Sequence, residues 1–548
     1  VEERLMVSRE RFMRTLRELV SAKSISGTVD ENLAVDKIVE LISEIPYFQQ
    51  NPENLSVIPV EEDRFNRGFV SALIKSNTGK KDTIIITGHL DVVGIEDFGH
   101  LKEIAFDIDR ITSRIMELNP DDAAVKDLES GEWIFGRGVA DMKYGIALCI
   151  EVLRWFSQKS EIPGNILFLA VPGEESNSEG MLAAVPYLEK MQDEGYKFKG
   201  CFVTESTVPR WSGDSTKRIY TGTIGKVMPM FFCRGKESHV CEPLSSVNPN
   251  LVISEITRMI ENNPDFCTQY KGECNPPPVC LKQMDLKELY NVQTPLYAVG
   301  YYNLLTLKLK ASELVEKLKV VAAKGFSNSL QLLAKNAHEY AKLTGKDPII
   351  NEYPANVITF DELWEAVLAN HKDLENDINK KIDLLQNKNL DNQQIAIQIT
   401  KELLEMYEDK NPIVVVGFAP PFYPTRVIEG NTEDERLLLD AINATIEYGN
   451  NDCKETIEKC YFYDAICDLS YTGLGEDEGA ETIALNMPSL RKNYFLPMAS
   501  LGKLNIPGAV FGGLGKDFHK NTERLHVPYS VDVVPKLYEF MIDKIFGR

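Results

Sequence analysis

Three short apolar runs constrain this chain more than any other feature, because each ends on a side chain able to bind a metal ion. The first, Ile84 to Ile86 within Asp82–Gly94, is β-branched and halts at Gly88, directly before His89, with Asp91 two positions on. The second, Asn165 to Val171, ends on Pro172, Gly173, Glu174 and Glu175. The third, Gly200 to Thr204, ends on Glu205. Runs of this length, without polar alternation, read as buried strands of a parallel sheet. Beyond the carboxyl ends of such strands, loops carry the polar groups that bind ligands. A fourth acid, Asp141, stands in Phe135-Gly-Arg-Gly-Val-Ala-Asp-Met-Lys-Tyr-Gly145, just before a helical stretch from Gly145 to Phe156. His-x-Asp alone is a weak signal, since a satisfied surface histidine beside a solvated aspartate is spelled the same way. A Glu-Glu pair usually marks a solvated face. Directly after a buried strand, such a pair is unfavourable unless something cationic sits beside it.

With 548 residues the chain exceeds a single core and should form two or more domains. Its 60 basic and 82 acidic residues give a formal charge of −22, which argues against nucleic acid and anionic membranes as partners. No apolar run reaches the ~18 residues of a spanning helix, and Val1-Glu-Glu-Arg-Leu5 has no apolar signal region, so a cytoplasmic location is expected. The ten cysteines form no C-x-x-C pair. Cys453, Cys460 and Cys467 recur every seven residues, which on one continuous helix would share a face; a buried apolar role suits them better than a metal site.

Helices are expected over about 8–22 and 32–45. Residues 96–132 read as a polar excursion with one helical piece and no clear role. After Glu205 the pattern changes. Thr221 to Gly235 alternates as a strand in which Pro229 suggests an edge or bulge. Asn248 and Pro249 then signal a helix start. A strand pair near Tyr297 to Tyr302 and Leu304 to Lys310, a helix near Ser312 and a strand from Ile413 to Phe418 follow. Residues 326–411 are mostly polar helix formers and read as solvated helix. Thr432-Glu-Asp-Glu435 opens another helix as a capping box. Ile506 to Phe511 is a further buried strand before Phe518-His519. The expected domains are 1–215 and 426–548, forming one unit in two segments, and 216–425.

Gly88-His-Leu-Asp-Val-Val93, Gly136-Arg-Gly-Val-Ala-Asp-Met-Lys143, Gly173-Glu-Glu175 and Val203-Thr-Glu205 resemble the ordered motifs of the M20 zinc peptidases and amidohydrolases. The spacer between Asp91 and Asp141 is similar to that of the RocB-like, arginine-utilisation branch. The resemblance implies an α/β fold, a mixed sheet flanked by helices, with an inserted α+β lid or dimerisation domain, here enlarged by the helical insertion. It implies two divalent metal ions, zinc foremost, with cobalt or manganese feasible. His89 and Glu205 would hold one ion, Glu175 and His519 the other, and Asp141 would bridge; His526 is the rival to His519. Asp91 would orient His89, Glu174 would act as general base, and His239 would stabilise an oxyanion or bind a substrate carboxylate. A cis peptide after Asp141 is also implied. The function implied is hydrolysis of an amide or peptide bond in a small N-acylated amino acid or short peptide, within arginine or amino-acid catabolism and by a homodimer paired through its lids. A dipeptidase or tripeptidase is the alternative among enzymes, and a non-catalytic metal-binding relative the alternative outside them.

Overall fold

The computed structural model describes residues 8–308, 310–350, 352–474 and 479–547. The chain divides into two compact units: Val1–Thr223 with Arg426–Gly475 and Pro497–Arg548, and Ile224–Thr425 with Glu476–Leu496.

The first unit is built on a mixed eight-stranded sheet. Its spatial order is Leu55–Pro59, Gly68–Ile74, Asn165–Val171, Asp82–His89, Lys197–Val203, Gly508–Val510, Lys217–Tyr220 and Ile457–Cys460. Three central strands decide the rest: β1 (Asp82–His89), β2 (Asn165–Val171) and β3 (Lys197–Val203). β1 pairs in parallel with β2 on one side and β3 on the other, with His89 opposite Val171 and Thr87 opposite Val203. In this register the strands end level, so the residues that follow them emerge at one edge of the sheet. Helices Arg9–Ser21, Glu31–Ser43, Glu433–Asn451, Val534–Ile545 and α1 (Lys143–Ser157) contribute apolar side chains to the core of this unit. The 96–132 segment is more ordered than a polar excursion. It contains helices Ile108–Arg114 and Asp122–Ser130 and buries Phe98, Leu101, Phe106, Ile108 and Ile111 in that core. The Asp141–Met142 peptide is cis, as the resemblance implies. Cys453, Cys460 and Cys467 do not share a helix, because Cys460 ends a strand and all three lie beyond Glu433–Asn451. None of the ten cysteines forms a disulfide among the described residues. The unit is interrupted beside a two-residue ladder, in which Thr223 pairs with Arg426 and Gly222 with Val427.

The second unit has a five-stranded sheet in the order Val279–Asp285, Tyr297–Thr306, Gly225–Arg234, Ile413–Tyr423 and Val357–Thr359. Pro229 therefore lies in a central strand, β4 (Gly225–Arg234), and not at an edge. The ladder accommodates it: pairing with Tyr297–Thr306 passes from Tyr301↔Met230 to Leu304↔Val227 and is missing opposite the residue that lacks an N–H. Tyr297–Thr306 is one strand rather than a pair, and its outer neighbour is β5 (Val279–Asp285), which is half-exposed. Helix α2 (Pro249–Ile260) starts as expected, with the Asn248 side chain accepting from the Asn250 N–H. Helix α3 (Ala311–Thr344) runs for 34 residues. The helices after it are not merely solvated. Phe360–Leu368, Leu374–Gln386 and Asn392–Met406 bury Leu363, Trp364, Ile378, Ile382, Ile395 and Leu403 with Phe232 and Val299 of the sheet. No described helix is long and apolar enough to cross a membrane.

Candidate metal centre

The level strand ends bring the sequence motifs of the first unit together. His89 closes β1, and its Nε2 lies 3.1 Å from Asp141 Oδ1 and 3.3 Å from Glu205 Oε1. The other oxygen of Asp141 faces the remaining donors, with His519 Nε2 3.1 Å from Oδ2 and 3.0 Å from Glu175 Oε1. Two groups of three, His89–Asp141–Glu205 and Asp141–Glu175–His519, could each hold a metal ion, and Asp141 belongs to both. Two imidazoles and three carboxylates, without thiolate, are the donor chemistry that borderline divalent ions accept. His526 is in neither group. It lies 3.4 Å from Glu132 and packs its ring on Trp133.

Asp91 supports His89 differently from expectation. The Asp91 backbone carbonyl, 2.9 Å from His89 Nδ1, fixes the ring, while the carboxylate stands 3.6 Å away. That carboxylate accepts the backbone N–H groups of Glu174 and Glu175, each at 3.1 Å. It therefore ties the first strand end to the second. The turn leaves β2 through Gly173 at φ +77°, where a Cβ would press on the Glu179 carboxylate and the Arg67 guanidinium. Any other side chain would be strained at that φ.

The loop bearing Asp141 is fixed by Glu523, a residue to which the sequence assigned no role. The Glu523 carboxylate accepts N–H groups from Gly138, Ala140 and Asp141 at 3.1, 3.1 and 3.2 Å. It also pairs with buried Arg137 at 2.8 Å. Arg137 reaches Asp97, and Arg524 pairs with Asp127 and Asp517, so the 96–132 segment anchors the neighbours of both Asp141 and His519. Lys143 is buried and donates to the Ala22 carbonyl. Its burial pulls the amine down to about 7.

The electrostatics of the cluster call for positive charge. Burial opposes charge on His89, yet Glu205 and Asp141 hold its imidazole well above the ordinary value. Hydrogen bonds to Asp141 and Glu175 push His519 up to about 10. Burial and repulsion from Asp141 push Glu175 up to about 7. Glu174, in neither donor group, is held well above the carboxylate range by burial, with Asp468, Glu175 and Glu205 adding repulsion. Protons thus gather where carboxylates converge, and divalent cations would meet the same demand.

His239 lies in the second unit, after β4. It is exposed, bridges to Gln293, and accepts the Cys241 N–H at 3.2 Å through Nδ1.

Residues 85–449 match the description "Peptidase family M20/M25/M40". The chain is 33% identical over 545 residues to the uncharacterized protein YqjN of Bacillus subtilis, covering 99% of this chain and 97% of that one. It is 33% identical over 533 residues to protein RocB of the same organism, covering 97% and 94%. Among solved structures it is similar in fold to a tripeptidase from Staphylococcus aureus, with a TM-score of 0.56 at 13% identity and coverage of 99% and 100%.

Proposed function

Because the chain belongs to peptidase family M20/M25/M40, we propose that it hydrolyses an amide or peptide bond in a small N-acylated amino acid or short peptide. The observation that carries this reading is the divided carboxylate of Asp141, with one oxygen in each donor group. His89 and Glu205 would hold one divalent ion and Glu175 and His519 the other, with Asp141 shared. Zinc suits these donors best, with cobalt and manganese as workable substitutes. When bound, the pair supplies Lewis acidity toward the substrate carbonyl and lowers the pKa of water.

The chain's own groups do the rest. Glu174 accepts the proton of the attacking water and delivers it to the leaving nitrogen. Its raised proton affinity, caused by burial and acidic neighbours, favours the first of these transfers. Asp91 holds the Glu174–Glu175 backbone and so sets where both carboxyls point. His239 donates to the developing oxyanion or to a substrate carboxylate, and in a homodimer it comes from the partner subunit. We assign the activity to the cytoplasm and to arginine or amino-acid catabolism, on the resemblance to the RocB-like branch.

Turnover of N-acetyl amino acids, dipeptides and tripeptides by protein loaded with zinc, cobalt or manganese tests the reading. Hydrolysis of acylated amino acids supports it. Activity confined to peptides with a free amino group makes the protein a dipeptidase or tripeptidase. A loaded protein that turns over none of them is a binding or regulatory relative.

A further inference from the structure

Glu205 is held from both sides, each time to the segment that carries one of the other two members of its donor group. On one side, Thr204 gives both its backbone N–H and its hydroxyl to the Thr87 carbonyl, at 3.0 and 3.1 Å, two residues before His89. On the other side, the Ser206 hydroxyl donates to the Ala140 carbonyl at 2.8 Å, one residue before Asp141. Ser206 is fully buried, and its own carbonyl accepts the Tyr463 hydroxyl at 3.0 Å. Tyr463 is buried too, and its backbone N–H donates to the Gly222 carbonyl, which anchors the segment that delivers this hydroxyl.

The two seams are not equally secure. The seam between Glu205 and His89 also carries the ladder of β1 and β3, with Thr87 opposite Val203. The seam between Glu205 and Asp141 is crossed by the side chain at position 206. Each segment flanking that seam has further ties of its own. Glu523 gathers the N–H groups of Gly138, Ala140 and Asp141. Thr207 donates to the Gly513 carbonyl at 2.8 Å and accepts the Gly515 N–H at 2.9 Å. Loss of the Ser206 hydroxyl would leave both segments on their course and loosen the spacing of Glu205 from Asp141. A donor that must be ordered on binding holds its ion more weakly, because its lost freedom opposes the bond. Glu175 and His519 take no part in these contacts. We infer that Ser206 is a positioning residue that sets the affinity of one ion of the pair, the one held by His89, Asp141 and Glu205, and leaves the other ion alone. The inference rests on the two-ion reading of the donor groups.

Cobalt(II) titrated into metal-free full-length protein, followed by calorimetry and visible absorption, tests it without recourse to turnover. Ser206→Ala should weaken one of the two binding steps by roughly 10–100-fold, the range for groups that orient ligands, and leave the other step unchanged. Two further backgrounds identify the step. In His519→Ala protein the intact group is His89–Asp141–Glu205, and adding Ser206→Ala should produce the full loss. In Glu205→Ala protein the intact group is Asp141–Glu175–His519, and adding Ser206→Ala should change nothing. A merely structural role would weaken both groups alike, and that result, or no loss at either, overturns the proposal. If Ser206→Ala does not fold, Tyr463→Phe removes the bond to the Ser206 carbonyl instead. A several-fold loss confined to the same step is then expected, and an unchanged step counts against the proposal. Wild-type protein that takes up two ions, with no selective response to Ser206→Ala, ends this inference alone. Wild-type protein that takes up none ends the metal-centre reading and this inference with it.

Discussion

Glu174 and Glu175 are neighbours in sequence but differ in what surrounds them. Glu175 reaches His519, whereas Glu174 belongs to neither donor group and is buried among acids. Glu174→Gln should therefore keep both the fold and the metal content while lowering kcat by roughly 10²–10⁴-fold. Metal analysis beside steady-state kinetics checks this, and near-normal kcat in loaded protein would move the base elsewhere. Glu523 acts through Asp141. Its carboxylate gathers three backbone N–H groups and Arg137, and an amide retains only one acceptor oxygen for them. Glu523→Gln should weaken metal binding by about 10–100-fold, the range for groups that orient ligands, as measured by competition with a chelator. Four of the candidate donors stand out in the sequence because each follows a strand or precedes a helix, where polarity changes abruptly; His519, in the turn between Gly515–Lys516 and Arg524–His526, is reached only through the resemblance. Glu523 could not be assigned that way, because its partners are backbone N–H groups, which every residue but proline carries.

Strand order revises how lids could pair. β4, the first long strand of the second unit, has neighbours on both sides and cannot offer an edge. Edge-to-edge pairing through this side of the sheet would have to use β5, where Leu281 is 51% exposed and Val279 41%. A charge on an exposed edge strand opposes such pairing. Leu281→Arg should thus turn a dimer into a monomer in sedimentation, and an unchanged dimer would assign the interface to α2 or elsewhere. β5 escaped the sequence reading because its exposed and half-buried positions alternate weakly, Val-Cys-Leu-Lys-Gln-Met-Asp, with an apolar residue on the outside. The helices between 360 and 406 were legible as helices. The burial of Leu374–Gln386 and Asn392–Met406 was not, since the apolar stripe on each is narrow and the polar residues outnumber it.

For the whole molecule, the donor cluster links metal content, pH and stability. His519, raised from 6.5 to about 10, stabilises the metal-free protein fully below 6.5 and no longer does so once pH passes about 10. Glu175, raised from 4.5 to about 7, likewise loses its contribution as pH rises through that window. The metal-free Tm should therefore fall as pH climbs, and loading with zinc should flatten the curve. Metal uptake should release protons, with affinity rising with pH; calorimetry in buffers of different ionisation heat reads this directly, and proton uptake would contradict it. Mixing His239→Ala with Glu174→Gln subunits should restore part of the activity, because one site per heterodimer would hold both groups; no rescue after proven exchange would deny a shared site. Sequence separated the two units by a change of pattern near Thr221, but gave no sign that Glu476–Leu496 groups with the second unit, since that return depends on contacts far apart in the chain. The ladder Thr223↔Arg426 and Gly222↔Val427 has a consequence for descent. Entry to and exit from the inserted residues are hydrogen-bonded neighbours, so the first unit meets the insertion as it would meet one long hairpin loop. Each doubling of such a loop adds only about 0.6 kcal/mol of closure entropy. Lineages sharing this catalytic unit could enlarge, trim or exchange what lies between the two strands with little penalty to the sheet that carries the metal ligands.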